Sequence, residues 1–125
     1  MGLGNNLAVT TIPVVDFDRA KRFYGDTLGL RLLFETPGTS ARFGAGNGSQ
    51  ISIYKRGPSK ADHTVAHFEV SDVEATVRDL EARNVTFLDY TDGPFKTIGH
   101  IAQVGPSRGA WFHDTEGNIL GMRQG

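Results

Sequence analysis

The feature that most constrains this sequence is a stretch that occurs twice. Residues 8–35, AVTTIPVVDFDRAKRFYGDTLGLRLLFE, return in weaker form at residues 67–90, HFEVSDVEATVRDLEARNVTFLDY, and both copies have the pattern strand, helix, strand. A shift of 56 positions lays Asp16 on Asp72. Asp16 precedes an apolar helical stripe, where its carboxylate can accept from the backbone N–H groups of the first turn. Such self-similarity predicts a fold assembled from two copies of one unit.

A second echo extends the repeat toward the end of each copy. A shift of 69 positions lays Phe43 on Phe112 and Gly48 on Gly117. Because the two shifts differ, the second copy carries about 13 extra residues between its echoes, around residues 93–109. We therefore predict two β-α-β-β-β units, the second with an insertion.

The spacing of apolar residues predicts where the strands and the helix of the first unit lie. Residues 8–15 are rich in β-branched side chains and predict a strand, and Pro13 indicates that this strand lies at a sheet edge or ends early. Gly29 can adopt the left-handed backbone that ends a helix, and further strands are predicted at residues 30–35, 41–45 and 50–55. The apolar face of the helix recurs at steps of three and four residues: Phe17, Ala20, Tyr24 and Leu28.

In the second unit, the first strand is predicted at residues 64–70, where His67 and Glu69 alternate with apolar residues. These two side chains therefore lie on the sheet face turned away from the helix, either in solvent or in a pocket. Ser71 and Glu74 have the spacing of a capping box for that helix. Its apolar stripe is Val73, Val77 and Leu80, and the remaining strands are predicted at residues 85–90, 100–104, 109–113 and 119–123.

Length and composition narrow the class of protein. The chain has 125 residues, a net charge of −1 and no cysteine, which gives no electrostatic footprint for nucleic acid and no disulfide or cysteine zinc site. No apolar run approaches the roughly 20 residues of a membrane span, and the start lacks the pattern of a signal peptide. We expect one structural domain in the cytoplasm, with a first module at residues 1–57, a linker at 58–62 and a second module at 63–125.

Three motifs resemble one known group of proteins. Residues 14–33, VVDFDRAKRFYGDTLGLRLL, resemble the opening of the vicinal oxygen chelate superfamily, which includes glyoxalase I, bleomycin-resistance proteins and extradiol dioxygenases. Residues 65–87 are similar to its second-module opening, and WFHDTEGNILGM at residues 111–122 is similar to its closing motif. The resemblance covers nearly the whole chain, 8–123. It implies an α+β fold in which two βαβββ modules form a curved mixed sheet around a shared cavity, and a homodimer.

The resemblance also implies where a metal would bind. Metal enzymes of this superfamily take one His, Glu or Gln ligand from the first and last strands of each module. These positions fall here on Val9, Ser52, Val65 and Gly121, none of which offers an imidazole or a carboxylate. We therefore expect no metal and no other cofactor. A displaced metal site built from His67, Glu69, His100 and His113 is the alternative.

Several polar and aromatic residues could instead line the cavity. His67 and Glu69 point the same way from one strand and could form a general acid–base pair, or simply stabilise the sheet. The predicted ligand-binding residues are Thr11, Ser52, Tyr54, His67, Phe95, His100 and Trp111. Each of them could equally have a structural role.

The leading functional hypothesis is a metal-free protein that binds or sequesters a hydrophobic or aromatic small molecule. The alternatives are a metal-free isomerase, epimerase or lyase that uses His67 and Glu69, and a metal-dependent lyase or dioxygenase with displaced ligands.

Overall fold

The computed structural model describes residues 2–125, which form two compact units that divide between Ser59 and Lys60. This division falls inside the predicted linker. The elements of the first unit are β1 (Val9–Val14), α1 (Phe17–Arg22), β2 (Arg31–Thr36), β3 (Ser40–Gly44) and β4 (Gln50–Lys55). Those of the second unit are β5 (Thr64–Glu69), α2 (Val73–Ala82), β6 (Phe87–Leu88), β7 (Thr97–Ile98), β8 (Ile101–Val104), β9 (Ser107–His113) and β10 (Ile119–Gln124).

Both sheets are mixed, and their registers reproduce the two sequence shifts. The first sheet has the order β1-β4-β3-β2 and the second begins β5-β10-β9, with the first and last strands of each unit paired in parallel. Thr11 pairs with Ser52 in the first sheet. The shift of 56 carries Thr11 to His67 and the shift of 69 carries Ser52 to Gly121, and these two residues pair in the second sheet. The prediction of two copies of one β-α-β-β-β unit is thereby confirmed, and so is the edge position of β1.

The extra residues of the second unit form a hairpin that extends its sheet. β9 pairs with β6 at Phe112 and Trp111, and with β8 from Gly109 back to Ser107. β7 and β8 pair around a two-residue turn, residues 99–100, in which both residues have positive φ. The sequence did not predict β7, and the strand predicted at residues 85–90 is only two residues long.

The helix of the first unit begins as predicted but changes pitch. Asp16 accepts from the backbone N–H of Arg19, and the apolar residues through Tyr24 are buried. Residues 23–27 then form a π-helical turn, and Phe23 at its start is buried as well. Leu28 is only half-buried. The predicted helical face was therefore right for its first two turns only.

In the second unit, α2 packs on β9 and β10 through its predicted apolar stripe. Val73, Val77 and Leu80 are buried, and each contributes about 1.5–3 kcal/mol through burial. The helix is capped by Asp72, which accepts from the backbone N–H of Ala75, rather than by the predicted Ser71. Because α2 covers one face of this sheet, the alternate side chains of its strands lie on the opposite face. Across residues 2–125, no helix combines the length and apolar character needed to cross a membrane.

Candidate ligand-binding cleft

A cleft of about 330 Å³ lies on the face of the second sheet turned away from α2. His67 of β5, Gly121 of β10 and Trp111 of β9 form one continuous row across that face. The lining residues combine aromatic and aliphatic groups with a few polar ones: Thr64, His67, Phe95, Val104, Ser107, Arg108, Gly109, Trp111, Gly121, Met122 and Arg123. Three of the residues predicted from the sequence, His67, Phe95 and Trp111, therefore come together here.

Aromatic rings surround Trp111. The ring centroid of Phe95 lies 5.7 Å from that of Trp111 at an interplanar angle of 68°, and Tyr90 lies 5.5 Å away at 83°. Both arrangements are edge-to-face, the geometry that the charge distribution of aromatic rings favours. A second hollow of about 210 Å³ shares Thr64, Phe95 and Trp111 with the cleft and continues toward Tyr90 and His63. The aromatic cluster thus forms a wall that both hollows share.

A chain of polar contacts joins β5 and β10 beside the cleft. Nε2 of His67 hydrogen-bonds Oε2 of Glu69 at 2.8 Å, and Nη1 of Arg123 donates to Oε1 of Glu69 at 2.8 Å. The hydrogen bond from His67, together with the ion pair to Arg123, holds the pKa of the Glu69 carboxyl below its ordinary value. A carboxylate stabilised in this way orients the imidazole more readily than it accepts a proton. Glu69 is 60% exposed, so solvent also reaches it.

His100 lies in a separate cluster, and it is not among the described residues that line the cleft. Its Nδ1 lies 2.9 Å from Oδ1 of Asp89, and its Nε2 lies 3.0 Å from Oε2 of Glu81, near the end of α2. Its ring stacks on Phe87 with a centroid separation of 5.3 Å. The hydrogen bond to Asp89 raises the pKa of His100, and the charges of Asp89 and Glu81 act in the same direction. The geometry thus favours an imidazolium that ties the hairpin turn to α2 and to the end of β6.

The remaining predicted ligand residues lie in the first unit. Thr11, Ser52 and Tyr54 share the sheet face turned away from α1, as their alternation predicted. On the same face, Arg42 donates to Oε1 of Gln50 at 2.8 Å and lies 5.0 Å over the ring of Phe34. These residues form a polar surface, and no described residue of the first unit lines the cleft.

The family resemblance assigns metal ligands to four positions whose side chains offer no imidazole or carboxylate. They fall on β1, β4, β5 and β10, where the side chains are those of Val9, Ser52, Val65 and Gly121. The displaced set predicted as an alternative is not assembled either. Among residues 2–125, no group of three or more His, Asp or Glu side chains is arranged to hold a metal ion.

Sequence reasoning missed part of the cleft. Arg123 shares the parity of Gly121 on β10, so strand alternation alone could have placed it beside the predicted pair His67 and Glu69. Val104 lies at the end of the strand predicted at residues 100–104, and Tyr90, which lines the second hollow, lies at the end of the strand predicted at residues 85–90. Neither was predicted to bind the ligand. Only the three-dimensional pairing of β8 with β9 brings the hairpin to this site.

Comparison with known proteins agrees with this architecture. The family model for the Glyoxalase/Bleomycin resistance protein/Dioxygenase superfamily matches residues 6–121. The chain belongs to this superfamily. It is an α+β member, and the resemblance inferred from the three motifs is confirmed. No curated protein sequence matches it significantly.

Solved structures of the superfamily superpose on nearly the whole chain. TnmS3, an antibiotic binding protein from Streptomyces sp. CB03234, has a TM-score of 0.73 and 26% identity over 99% of this chain and 98% of its own. A glyoxalase/bleomycin resistance protein from the same organism has a TM-score of 0.69 and 27% identity over 95% of this chain and 100% of its own. Lactoylglutathione lyase from Agrobacterium tumefaciens, with a TM-score of 0.70 and 20% identity over 97% of this chain and 94% of its own, shares the fold.

Proposed function

We propose that this superfamily member is a metal-free small-molecule binding protein, which binds or sequesters a hydrophobic or aromatic compound in the cleft of its second unit. The observation that carries the proposal is the cleft itself, in which Trp111 and Phe95 stand beside His67 and Arg123. Apolar walls with a few placed polar groups are typical of ligand sites, and 330 Å³ lies within their usual range of roughly 300–1,000 Å³.

The ligand that we propose is an antibiotic with an aromatic ring system. The similarity to TnmS3, which is an antibiotic binding protein, supports this class and extends over 99% of the chain. The edge-to-face cluster of Tyr90, Phe95 and Trp111 supports an aromatic ligand, because a further ring can pack against it in the same favourable geometry. The absence of usable donors at the four family metal positions supports binding without a metal.

The single tryptophan of the chain provides the test. Titration with a panel of aromatic antibiotics is expected to quench or shift the emission of Trp111, since no other tryptophan contributes. Phe95→Ala is expected to weaken the binding of the best compound about three- to tenfold, the loss of one aromatic contact. Ile98→Ala, three residues further along but 80% exposed and outside the cleft lining, is the matched control. If no compound changes the emission of Trp111 or binds by calorimetry, the proposal is wrong.

A proton-transfer enzyme is the second candidate, and the 2.8 Å hydrogen bond between His67 and Glu69 favours it. In an isomerase, epimerase or lyase, His67 would move the proton and Glu69 would orient its ring. Loss of turnover in His67→Ala and Glu69→Gln, with ligand binding retained, would establish this function. Unchanged turnover in both variants would remove His67 and Glu69 from any catalytic role.

We also propose that the protein is a cytoplasmic homodimer. Support for association comes from β2, an edge strand that exposes the consecutive apolar residues Leu32, Leu33 and Phe34, the last at 60%. Exposed edges of this kind favour pairing with another chain. Light scattering after size exclusion is expected to give twice the monomer mass, and Leu33→Lys is expected to lower it. A monomeric wild type at micromolar concentration would contradict the dimer.

A further inference from the structure

The indole of Trp111 lies against two glycines of the sheet, Gly121 and Gly109. Gly121 is the cross-strand partner of Trp111, and a Cβ atom built on Gly121 would lie 3.3 Å from Cδ1 of the indole and 3.5 Å from Cβ of His67. A Cβ atom built on Gly109 would lie 3.7 Å from Cη2 and 3.8 Å from Cζ2, at the other end of the ring system. The pyrrole edge therefore lies over Gly121 and the benzene edge over Gly109. The ring extends along the sheet surface instead of standing away from it.

The backbone gives no reason for glycine at position 121. Its φ lies outside the positive range that side chains avoid, whereas eight other glycines of the described chain have positive φ. Glycine inside a strand weakens it, and often marks a point of close approach by another group. Here the approaching group is the indole. A contact of 3.3 Å is tighter than most real Cβ contacts, so alanine at this position would displace the ring by a few tenths of an ångström.

We propose that Gly121 is a positioning residue that lets Trp111 lie flat as a stacking platform, so that the cleft selects flat aromatic ligands over globular apolar ones. This inference rests on the proposed function, since it concerns the same cleft. It also concerns the position to which the family resemblance assigns the fourth metal ligand. Because the indole of Trp111 lies against Gly121, a metal-binding side chain at position 121 would displace the indole from this place.

The test compares two carboxylate probes with the same number of carbon atoms, flat 2-naphthoate and globular adamantane-1-carboxylate. Wild-type protein is expected to bind 2-naphthoate more tightly, with affinities measured by calorimetry. Gly121→Ala is expected to weaken 2-naphthoate binding about three- to tenfold and to leave adamantane-1-carboxylate binding within about twofold. The emission of Trp111 in the unliganded variant is expected to shift, because the ring moves. Gly57→Ala, at a glycine with open space around it, is the control.

A double-mutant cycle separates positioning from a general effect on folding. In the Trp111→Phe background the smaller ring leaves room for the new methyl group, so Gly121→Ala is expected to change 2-naphthoate affinity by less than about twofold. An equal loss in both backgrounds would overturn the inference. So would wild-type affinity in Gly121→Ala, although the proposed function would survive that result. If wild type binds neither probe and no aromatic antibiotic, the proposed function fails instead.

Discussion

At the scale of single residues, the turn between β9 and β10 depends on one buried carboxylate. Oδ1 of Asp114 accepts from the backbone N–H groups of Glu116 and Asn118, both at 2.8 Å, and Oδ2 accepts from the side-chain amide of Asn118 at 2.8 Å. Asp114 and Asn118 are the two buried polar residues of the described chain. Gly117, with φ of 85°, supplies the left-handed backbone between them. The closing motif of the family therefore fixes the conformation of the turn between β9 and β10, and this turn places Trp111 and Gly121 opposite each other.

Asp114→Ala is expected to lower the free energy of unfolding by about 2–4 kcal/mol, because buried donors lose their acceptor. The midpoint of thermal unfolding, followed by circular dichroism, measures the loss. Thr115→Ala, an exposed neighbour in the same turn, is expected to change the midpoint little. Equal midpoints for the two variants would show that the carboxylate does not stabilise the turn.

Arg123 is expected to help keep the carboxyl of Glu69, beside the cleft, ionised. Replacing it with Gln removes the ion pair to Glu69, so the pKa of Glu69 should rise toward its ordinary value while the His67 hydrogen bond continues to lower it. Titration of the Glu69 carboxyl by carbon NMR measures the change. Arg83→Gln removes a guanidinium of similar exposure that pairs with Asp79 on α2, and should leave the Glu69 pKa unchanged.

At the scale of elements, the His100 cluster connects the inserted hairpin to the rest of the second unit. Both ring nitrogens hydrogen-bond to carboxylates, Asp89 after β6 and Glu81 on α2, and only the imidazolium has a proton on each nitrogen. Thr97 of β7 also donates to Asp89 at 3.0 Å. The hairpin contributes Val104 to the cleft, so the charge state of His100 bears on how firmly that wall is held.

This contact should be stronger in acid than in base. The folded pKa of His100 lies above its ordinary value of 6.5, so its stabilisation is fully present below about pH 6.5 and is lost as pH rises through the folded pKa. His100→Asn, which tolerates the φ of 71°, is expected to cost about 1–2 kcal/mol of unfolding free energy at pH 6 and less at pH 9. A cost that does not change between these pH values, measured against His63→Asn as control, would contradict the cluster's ionic character.

The elements that were predicted correctly are those with a long hydrophobic or repeated pattern, and the elements that were missed have a short pattern or none. The two shifts carry the paired residues of β1 and β4 onto the paired residues of β5 and β10, because each stretch of similarity spans several residues. β7 has two residues and no period to detect, and the π-helical turn at residues 23–27 breaks the helical period that identified α1. His67, Phe95 and Trp111 were predicted for one site and line one cleft, but the ion pairs of His100 could not be inferred because Glu81 and Asp89 are brought to it only by the fold.

At the scale of the whole molecule, the two units repeat a backbone and differ in chemistry. The residues of the first unit that match Trp111, Gly121 and His67 by the two shifts are Arg42, Ser52 and Thr11. The first unit thus presents a guanidinium over Phe34 at the place where the second presents an indole over glycine. The same sheet position thus occurs twice, and within residues 2–125 the hairpin and the aromatic cleft belong to the second unit. We therefore expect substitutions of Arg42 to affect the cleft's preference for flat probes much less than substitutions of Trp111.

At this scale, metal content tests the proposal that the protein binds its ligand without a metal. Val9 and Ser52 belong to the first unit and Val65 and Gly121 to the second, and none of the four offers a nitrogen or carboxylate ligand. Protein purified without an affinity tag is expected to contain zinc, iron, manganese and nickel well below one ion per chain by elemental mass spectrometry. Dialysis against EDTA is then expected to leave both the unfolding midpoint and the affinity for 2-naphthoate unchanged. Near-stoichiometric metal, with loss of affinity on chelation and recovery when the same metal is returned, would show that the second unit binds its ligand through a metal, and would make His67 and Glu69 the first residues to substitute.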